Sequence, residues 1–183
     1  MSGLTPIFFE TSRLRIRFLT PDDVSAQFAL YSDPDAMRYW SSEPWVDLSQ
    51  AHQQIERDLR DYAEGVSARL AVQLLESGEV IGNVSLYAIS DQNRRCEIGY
   101  MLSKSYQGYG YMTEALRAVI GYAFSSLSLN RIEADTDPRN ERSCRLLERL
   151  GFQREGFMPE RWVVAGEVCD TAFYGLLKRN YRN

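Results

Sequence analysis

At 183 residues and 44% hydrophobic content, the chain can bury one sizeable core, and no Pro/Ser/Gly-rich linker, internal repeat or charge block divides it, so one domain over residues 1–183 is expected. A formal charge of -4 disfavours non-specific binding to nucleic acid and mildly favours cationic substrates. Three cysteines at unrelated spacings and one histidine, His52, indicate neither a disulfide framework nor a metal centre.

In chain order, the apolar run of residues 1–9 is too short for a signal sequence, and no stretch reaches the roughly eighteen apolar residues that span a bilayer. A soluble, cytoplasmic protein without a membrane partner is expected. Glu10 to Arg17 alternates as a strand. Thr20, Pro21, Asp22 and Asp23 then open a helix, with threonine as N-cap, proline at the first position and acids in the first turn. Val24, Phe28 and Tyr31 give that helix an apolar face, and an irregular segment through Trp40 follows. Asp47 can cap a further helix that turns Ala51, Ile55, Leu59 and Tyr62 inward, with His52 on its polar side. Leu70, Val72 and Leu74 alternate as a strand, and the turn at residues 76–79 returns the chain through Val80 to Leu86 as a hairpin. Glu97 to Leu102 is one more strand.

The segment Gln107-Gly108-Tyr109-Gly110-Tyr111-Met112-Thr113-Glu114 places two glycines where this strand gives way to helical spacing at Leu116, Val119, Ile120, Ala123 and Phe124. Glycine permits positive φ and close backbone approach, and a helix N-terminus offers unpaired N–H groups and the positive end of its dipole. Such a junction suits an anion. It fits neither a dinucleotide fingerprint, which needs a third glycine where Thr113 stands, nor a Walker loop, which needs Gly-Lys-Ser/Thr. Downstream, Asp137-Pro138 leads to Asn140 as N-cap of a helix with Leu146, Leu147 and Leu150 as its stripe and Gly151 as its stop. Residues 152–157 and 171–177 read as closing strands, and the apolar run 173–177 suits either core or a contact surface.

The glycine segment resembles the acyl-CoA pyrophosphate loop of the GNAT superfamily of N-acetyltransferases, Gln/Arg-x-x-Gly-x-Gly/Ala; Met112 departs from the small residue of its sixth position and would narrow the approach to phosphate unless it points into the core. Asn140-Glu-Arg-Ser143 followed by Gly151-Phe152 resembles the family's Asn-x-x-Ser helix ending in Gly-Phe. The continuation Thr113-Glu114-Ala115 and the opening residues are similar to the RimJ/RimL-like branch, the ribosomal-protein N-acetyltransferases.

The resemblance implies an α/β (α+β) GNAT fold with a mixed, largely antiparallel sheet of about seven strands and about four helices. It implies transfer of acetyl from acetyl-CoA directly to a primary amine, of a protein N-terminus or of a small molecule such as a polyamine, amino acid or aminoglycoside. A non-catalytic acyl-CoA sensor is the alternative, and a homodimer is compatible with the branch. CoA would be held by Gln107 to Thr113, by Asn140 and Ser143, and near Met101 and Leu102, where a backbone N–H would meet the oxyanion. Glu97 is the candidate base, against a plain salt bridge to Arg94 or Arg95. Ser143 is placed near the CoA sulfur, whereas the position of the family's acidic tyrosine holds Leu147. Tyr39, Trp40 and Glu160, with Trp45 and Trp162, would border the acceptor cleft, or else close the core.

Overall fold

A computed structural model describes residues 8–182, so the opening residues 1–7 and Asn183 lie outside the description. The described chain contains eight strands: β1 (Phe8–Glu10), β2 (Leu14–Phe18), β3 (Ala68–Leu74), β4 (Val80–Ser90), β5 (Arg95–Leu102), β6 (Arg131–Thr136), β7 (Gln153–Val164) and β8 (Glu167–Leu177). Five helices join them: α1 (Val24–Tyr31), α2 (Pro34–Met37), α3 (Leu48–Glu64), α4 (Tyr111–Ser125) and α5 (Glu141–Arg149). The strands form one sheet in the order β1-β2-β3-β4-β5-β6-β8-β7. Every neighbouring pair is antiparallel except β5 and β6. The mixed α/β class expected from the sequence is therefore the class observed.

The count exceeds the expected seven strands and four helices by one of each. The single strand read from Glu10 to Arg17 is two, because Thr11, Ser12 and Arg13 turn to meet a carboxylate 101–103 residues downstream, that of Glu114. The segment read as irregular before Trp40 contains α2, capped by Asp33, whose side chain accepts from the Asp35 amide at 2.9 Å. The closing hairpin is longer than its apolar residues suggested, with β7 of 12 residues largely exposed.

Helices α4 and α5 cover one face of the sheet. Leu116, Val119, Ile120 and Phe124 of α4 and Leu147 of α5 pack with Ile16, Leu70, Val84, Ile98 and Ile132 in the main core. On the opposite face, α1, α2 and α3 lie over β2 to β5, with Met101 against Leu30, Tyr31 and Met37. Residues 173–177 divide as alternation requires: Tyr174 and Leu176 enter the core, and Phe173 lies on the other face under Arg161. One inward assignment is corrected. Leu59 of α3 is exposed, and the helix instead buries Asp58, which pairs with Arg69 of β3 at 3.2 Å. The turn before α1 is fixed by Asp23, whose carboxylate accepts from the Thr20 amide at 2.8 Å and from both terminal nitrogens of Arg17.

The sheet opens at its centre. β5 and β6 pair over only three positions, Arg95 with Arg131, Cys96 with Ile132 and Glu97 with Glu133. β5 stays bonded to β4 as far as Leu102, while β6 stays bonded to β8 as far as Thr136. Past Glu97 the two strands therefore diverge, and among the described residues no strand pairs with the facing edge of β5 from Ile98 onward.

Candidate active site

Two cavities meet at this opening. The larger, about 1100 Å³, runs from the glycine loop along the end of β5 and the exposed side of α5. A smaller one, about 160 Å³, lies on the far side of the opening toward the β7–β8 hairpin. Tyr39, Trp40, Tyr100, Asn140 and Ser143 border both.

The loop end of the larger cleft is built by glycine. Gly108 has φ +89° and Gly110, the N-cap of α4, has φ +82°, the left-handed region that side chains disfavour. A Cβ on Gly108 would meet no protein atom within 4 Å, so its open side faces space. Tyr111, Met112 and Thr113 form the first turn of α4, where amides lack intrahelical acceptors. Met112 is 6% exposed and packed in the main core, so its bulk does not fill the loop. Gln107 steadies the approach: its side-chain N–H donates to the Leu102 carbonyl at 3.1 Å, and its oxygen accepts from Arg142 at 2.8 Å. Tyr109 is exposed, and its carbonyl accepts from Arg13 at 3.0 Å, the guanidinium lying 4.4 Å from the Tyr111 ring centre.

Although the chain is acidic overall, Lys104 and five arginines line this cleft against the carboxylates of Asp35 and Glu141. Free amides at a helix N-terminus, a cationic wall and this volume together fit the diphosphate and pantetheine of an acyl-CoA.

At the junction, Asn140 caps α5, its side-chain oxygen accepting from the Ser143 amide at 3.2 Å. The Ser143 hydroxyl lies 2.8 Å from that of Tyr100. Burial pushes the Tyr100 phenol well above its ordinary range, so it stays protonated. Leu147 is fully buried and borders the smaller cavity with no polar atom.

The acceptor-side cavity combines aromatic and acidic groups. Trp40, Tyr87 and Trp162 line it together with Asp135 and Asp170. Trp40 stands edge-on to Tyr31 at 5.6 Å, which holds it from behind. Trp45 stacks on the same Tyr31 at 4.4 Å and borders neither cavity.

Glu160 is a correction. Its side chain is exposed and borders neither cavity, and its backbone, at φ +53° in a bulge of β7, donates to Asp170 at 2.8 Å. Of this hydrogen-bonded pair it is Asp170 that borders the cavity, beside Asp135 and Asp137. Glu97 is displaced as well: it borders neither cavity. It lies opposite Tyr87 on β4 and Glu133 on β6, 3.9 Å from Arg95. Burial first, and then the neighbouring Asp135 and Glu133, raise its carboxyl above the ordinary range. Tyr87, its cross-strand partner on β4, does border the acceptor cavity, and burial together with the nearby Asp135 and Glu97 raises its phenol above the ordinary range. Tyr87, Tyr100, Asp135 and Asp170 escaped the sequence reading because they lie on strands with no motif around them. The strand alternation carried the one usable signal, since it puts Tyr100 with Ile98 and Glu97 on the opposite side.

Among the described residues no cluster of His, Cys, Asp and Glu could hold a metal ion, and no helix is long and apolar enough to cross a membrane.

A sheet parted between its two parallel strands, with a glycine-built loop at one end and an aromatic, acidic cavity at the other, has the arrangement of a group-transfer enzyme whose donor and acceptor meet through the gap. The profile of the acetyltransferase (GNAT) domain matches residues 13–153. The chain is 37% identical over 171 residues to the uncharacterized N-acetyltransferase p20 of Bacillus licheniformis, covering 93% of this chain and 96% of that one. It is 28% identical over 168 residues to the spermidine N(1)-acetyltransferase of Escherichia coli strain K12, covering 92% and 88%. Its fold superposes on ribosomal-protein-S5-alanine acetyltransferase from Vibrio fischeri with a TM-score of 0.80 at 23% identity, over 97% of this chain and all of that one. The chain belongs to the GNAT acetyltransferase family and is an acetyl-CoA-dependent N-acetyltransferase.

Proposed function

We propose that the protein acetylates a primary amine that enters from the side of Trp40 and Trp162, with the α-amino group of a protein N-terminus as its acceptor. The observation that carries this reading is the parting of β5 from β6 past Glu97, which leaves Ser143 and Tyr100 at the one place bordered by both cavities. The larger cleft takes the donor: the amides of residues 108–113 and the side chains of Gln107 and Arg142 hold its phosphates, and Asn140 and the freed edge of β5 near Met101 and Leu102 hold its arm. When bound, acetyl-CoA supplies an activated acetyl thioester.

The remaining chemistry falls to the chain. Trp40, Tyr87 and Trp162 offer aromatic faces, and Asp135 and Asp170 offer charge, to an ammonium group as it arrives. That group must lose a proton before it attacks. Glu97 receives it through the Tyr87 hydroxyl or a water, and the elevated pKa of Glu97 brings it nearer to neutral pH, where a base works best. An unpaired N–H on the β6-facing edge of β5 meets the oxyanion, and Ser143 faces the departing sulfur.

A small polyamine is the second reading. Three aspartates at the cavity, Asp135, Asp137 and Asp170, exceed what one ammonium needs, and the spermidine acetyltransferase of Escherichia coli aligns over nearly the whole chain. Thiol release from acetyl-CoA, measured with N-terminal peptides, polyamines, amino acids and aminoglycosides, decides between them. Turnover highest with peptides supports the first reading and turnover highest with spermidine or spermine the second. CoA binding without turnover across the whole panel would refute both.

A further inference from the structure

We propose that Tyr100 is a positioning residue that aims the Ser143 hydroxyl at the sulfur leaving the thioester, filling by a different route the place where Leu147 offers no donor. The inference rests on the acyl-CoA reading of the larger cleft. Tyr100 reaches the junction from β5 and Ser143 from the first turn of α5, and their oxygens lie 2.8 Å apart. Tyr100 also approaches the Ser143 carbonyl at 3.4 Å, and its ring packs against the main core, so the phenol has little freedom to turn away.

Direction follows from proton counting. Each hydroxyl carries one proton, and a buried phenol needs an acceptor for its own. Burial keeps Tyr100 protonated, and either hydroxyl could donate across the 2.8 Å contact; we take the phenol as donor, since the shorter of its two contacts is to the serine oxygen, which then accepts. The serine proton is then released from that bond and directed into the cleft that Ser143 borders. The Ser143 amide is already satisfied by Asn140, which fixes the first turn of the helix.

In the reaction the amine nitrogen forms the new C–N bond and loses one proton, while the C–S bond breaks with both electrons passing to sulfur, which gains one proton. The two protons balance. Tyr100 supplies neither, since a buried tyrosinate is costly. It orients a neutral serine donor that stabilises charge on sulfur while the bond breaks.

The test needs no acceptor. Affinities of CoA and of desulfo-CoA, which lacks the sulfur, are measured by calorimetry at an alkaline pH where the thiolate forms, for the wild type, Tyr100→Phe, Ser143→Ala and the double variant. The wild type should prefer CoA about tenfold, the scale of a hydrogen bond to a charged group. Ser143→Ala should abolish the preference, Tyr100→Phe should reduce it about threefold, and the double variant should match Ser143→Ala, because the tyrosine acts only through the serine. In turnover, Tyr100→Phe should lower kcat with the KM for acetyl-CoA unchanged. An undiminished preference in Tyr100→Phe, a double variant worse than Ser143→Ala, or no wild-type preference would each overturn the proposal. An enzyme that shows the preference but acetylates no amine would instead refute the proposed acceptors and leave the pair standing.

Discussion

Glu97 owes its chemistry to its surroundings more than to its place in the chain. Three acidic side chains, Glu97, Glu133 and Asp135, share one sheet face with Arg95 and Arg161, and partial burial favours the neutral carboxyl. A base raised in this way is ionised, and able to take a proton, only above its own pKa. The acetylation rate should therefore fall as pH drops through a value above 4.5. In Glu97→Gln that break should vanish, the break from the acceptor amine should persist, and kcat/KM at neutral pH should fall about a hundredfold, within the range of general-base effects. Profiles that superimpose for the two proteins would return Glu97 to the salt-bridge role that the sequence equally allowed. Gly108 gives a test of the other end of the site. Its φ of +89° makes Gly108→Ala cost about 1 kcal/mol through backbone strain alone, read as a small drop in melting temperature. The new methyl meets no protein atom, so a loss of CoA affinity of tenfold or more, read by calorimetry, would locate the phosphates on its open side.

The elements around the site differ in how far the sequence disclosed them. Helix α5 was legible because cap, apolar stripe and stop occur together, Asn140 beginning it and Gly151 ending it, and α4 because its apolar spacing follows the two glycines, of which Gly110 begins it. α3 was legible in its cap, Asp47, and in most of its buried face, where Leu59 alone was misassigned. The periodicity favoured Leu59, yet Arg69 on β3 draws Asp58 inward, a partner 11 residues away that no helical pattern can reveal. The same limit hid Tyr100, whose partner Ser143 is 43 residues away, and it misplaced Glu160, which a bulge in β7 turns out of the cleft. α5 also carries part of the loop's support, since Arg142 holds Gln107, which in turn holds the Leu102 carbonyl. Arg142→Ala should weaken CoA binding about tenfold, with a shallower salt dependence than the wild type, because it removes a cation and frees the glutamine. Calorimetry at two ionic strengths checks both effects.

Across the whole molecule, one carboxylate joins the start of the chain to the nucleotide loop. Glu114, in the first turn of α4, accepts from the Thr11 hydroxyl at 2.6 Å, from the Ser12 hydroxyl and the Arg13 amide at 2.9 Å each, and from the Arg13 guanidinium at 2.8 Å. That guanidinium also holds the Tyr109 carbonyl and lies over Tyr111, so the turn between β1 and β2 braces the loop from outside. Burial alone would raise the Glu114 carboxyl, but the bonds from Thr11, Arg13 and Ser12 outweigh it and hold the group below its usual 4.5. A carboxyl lowered on folding stabilises the protein fully above its unfolded pKa, and the contribution fades as pH falls through the folded value. Glu114→Gln should therefore cost about 1–2 kcal/mol at pH 7, the scale of a partly exposed group losing charge-assisted bonds. The gap between the two melting curves should narrow as pH is lowered from 5 toward 3. The same variant should bind CoA severalfold more weakly, because Arg13 loses the anchor that sets it against the loop. Equal melting at both ends of the pH range, with wild-type CoA affinity, would mean that the loop keeps its shape without the strand turn.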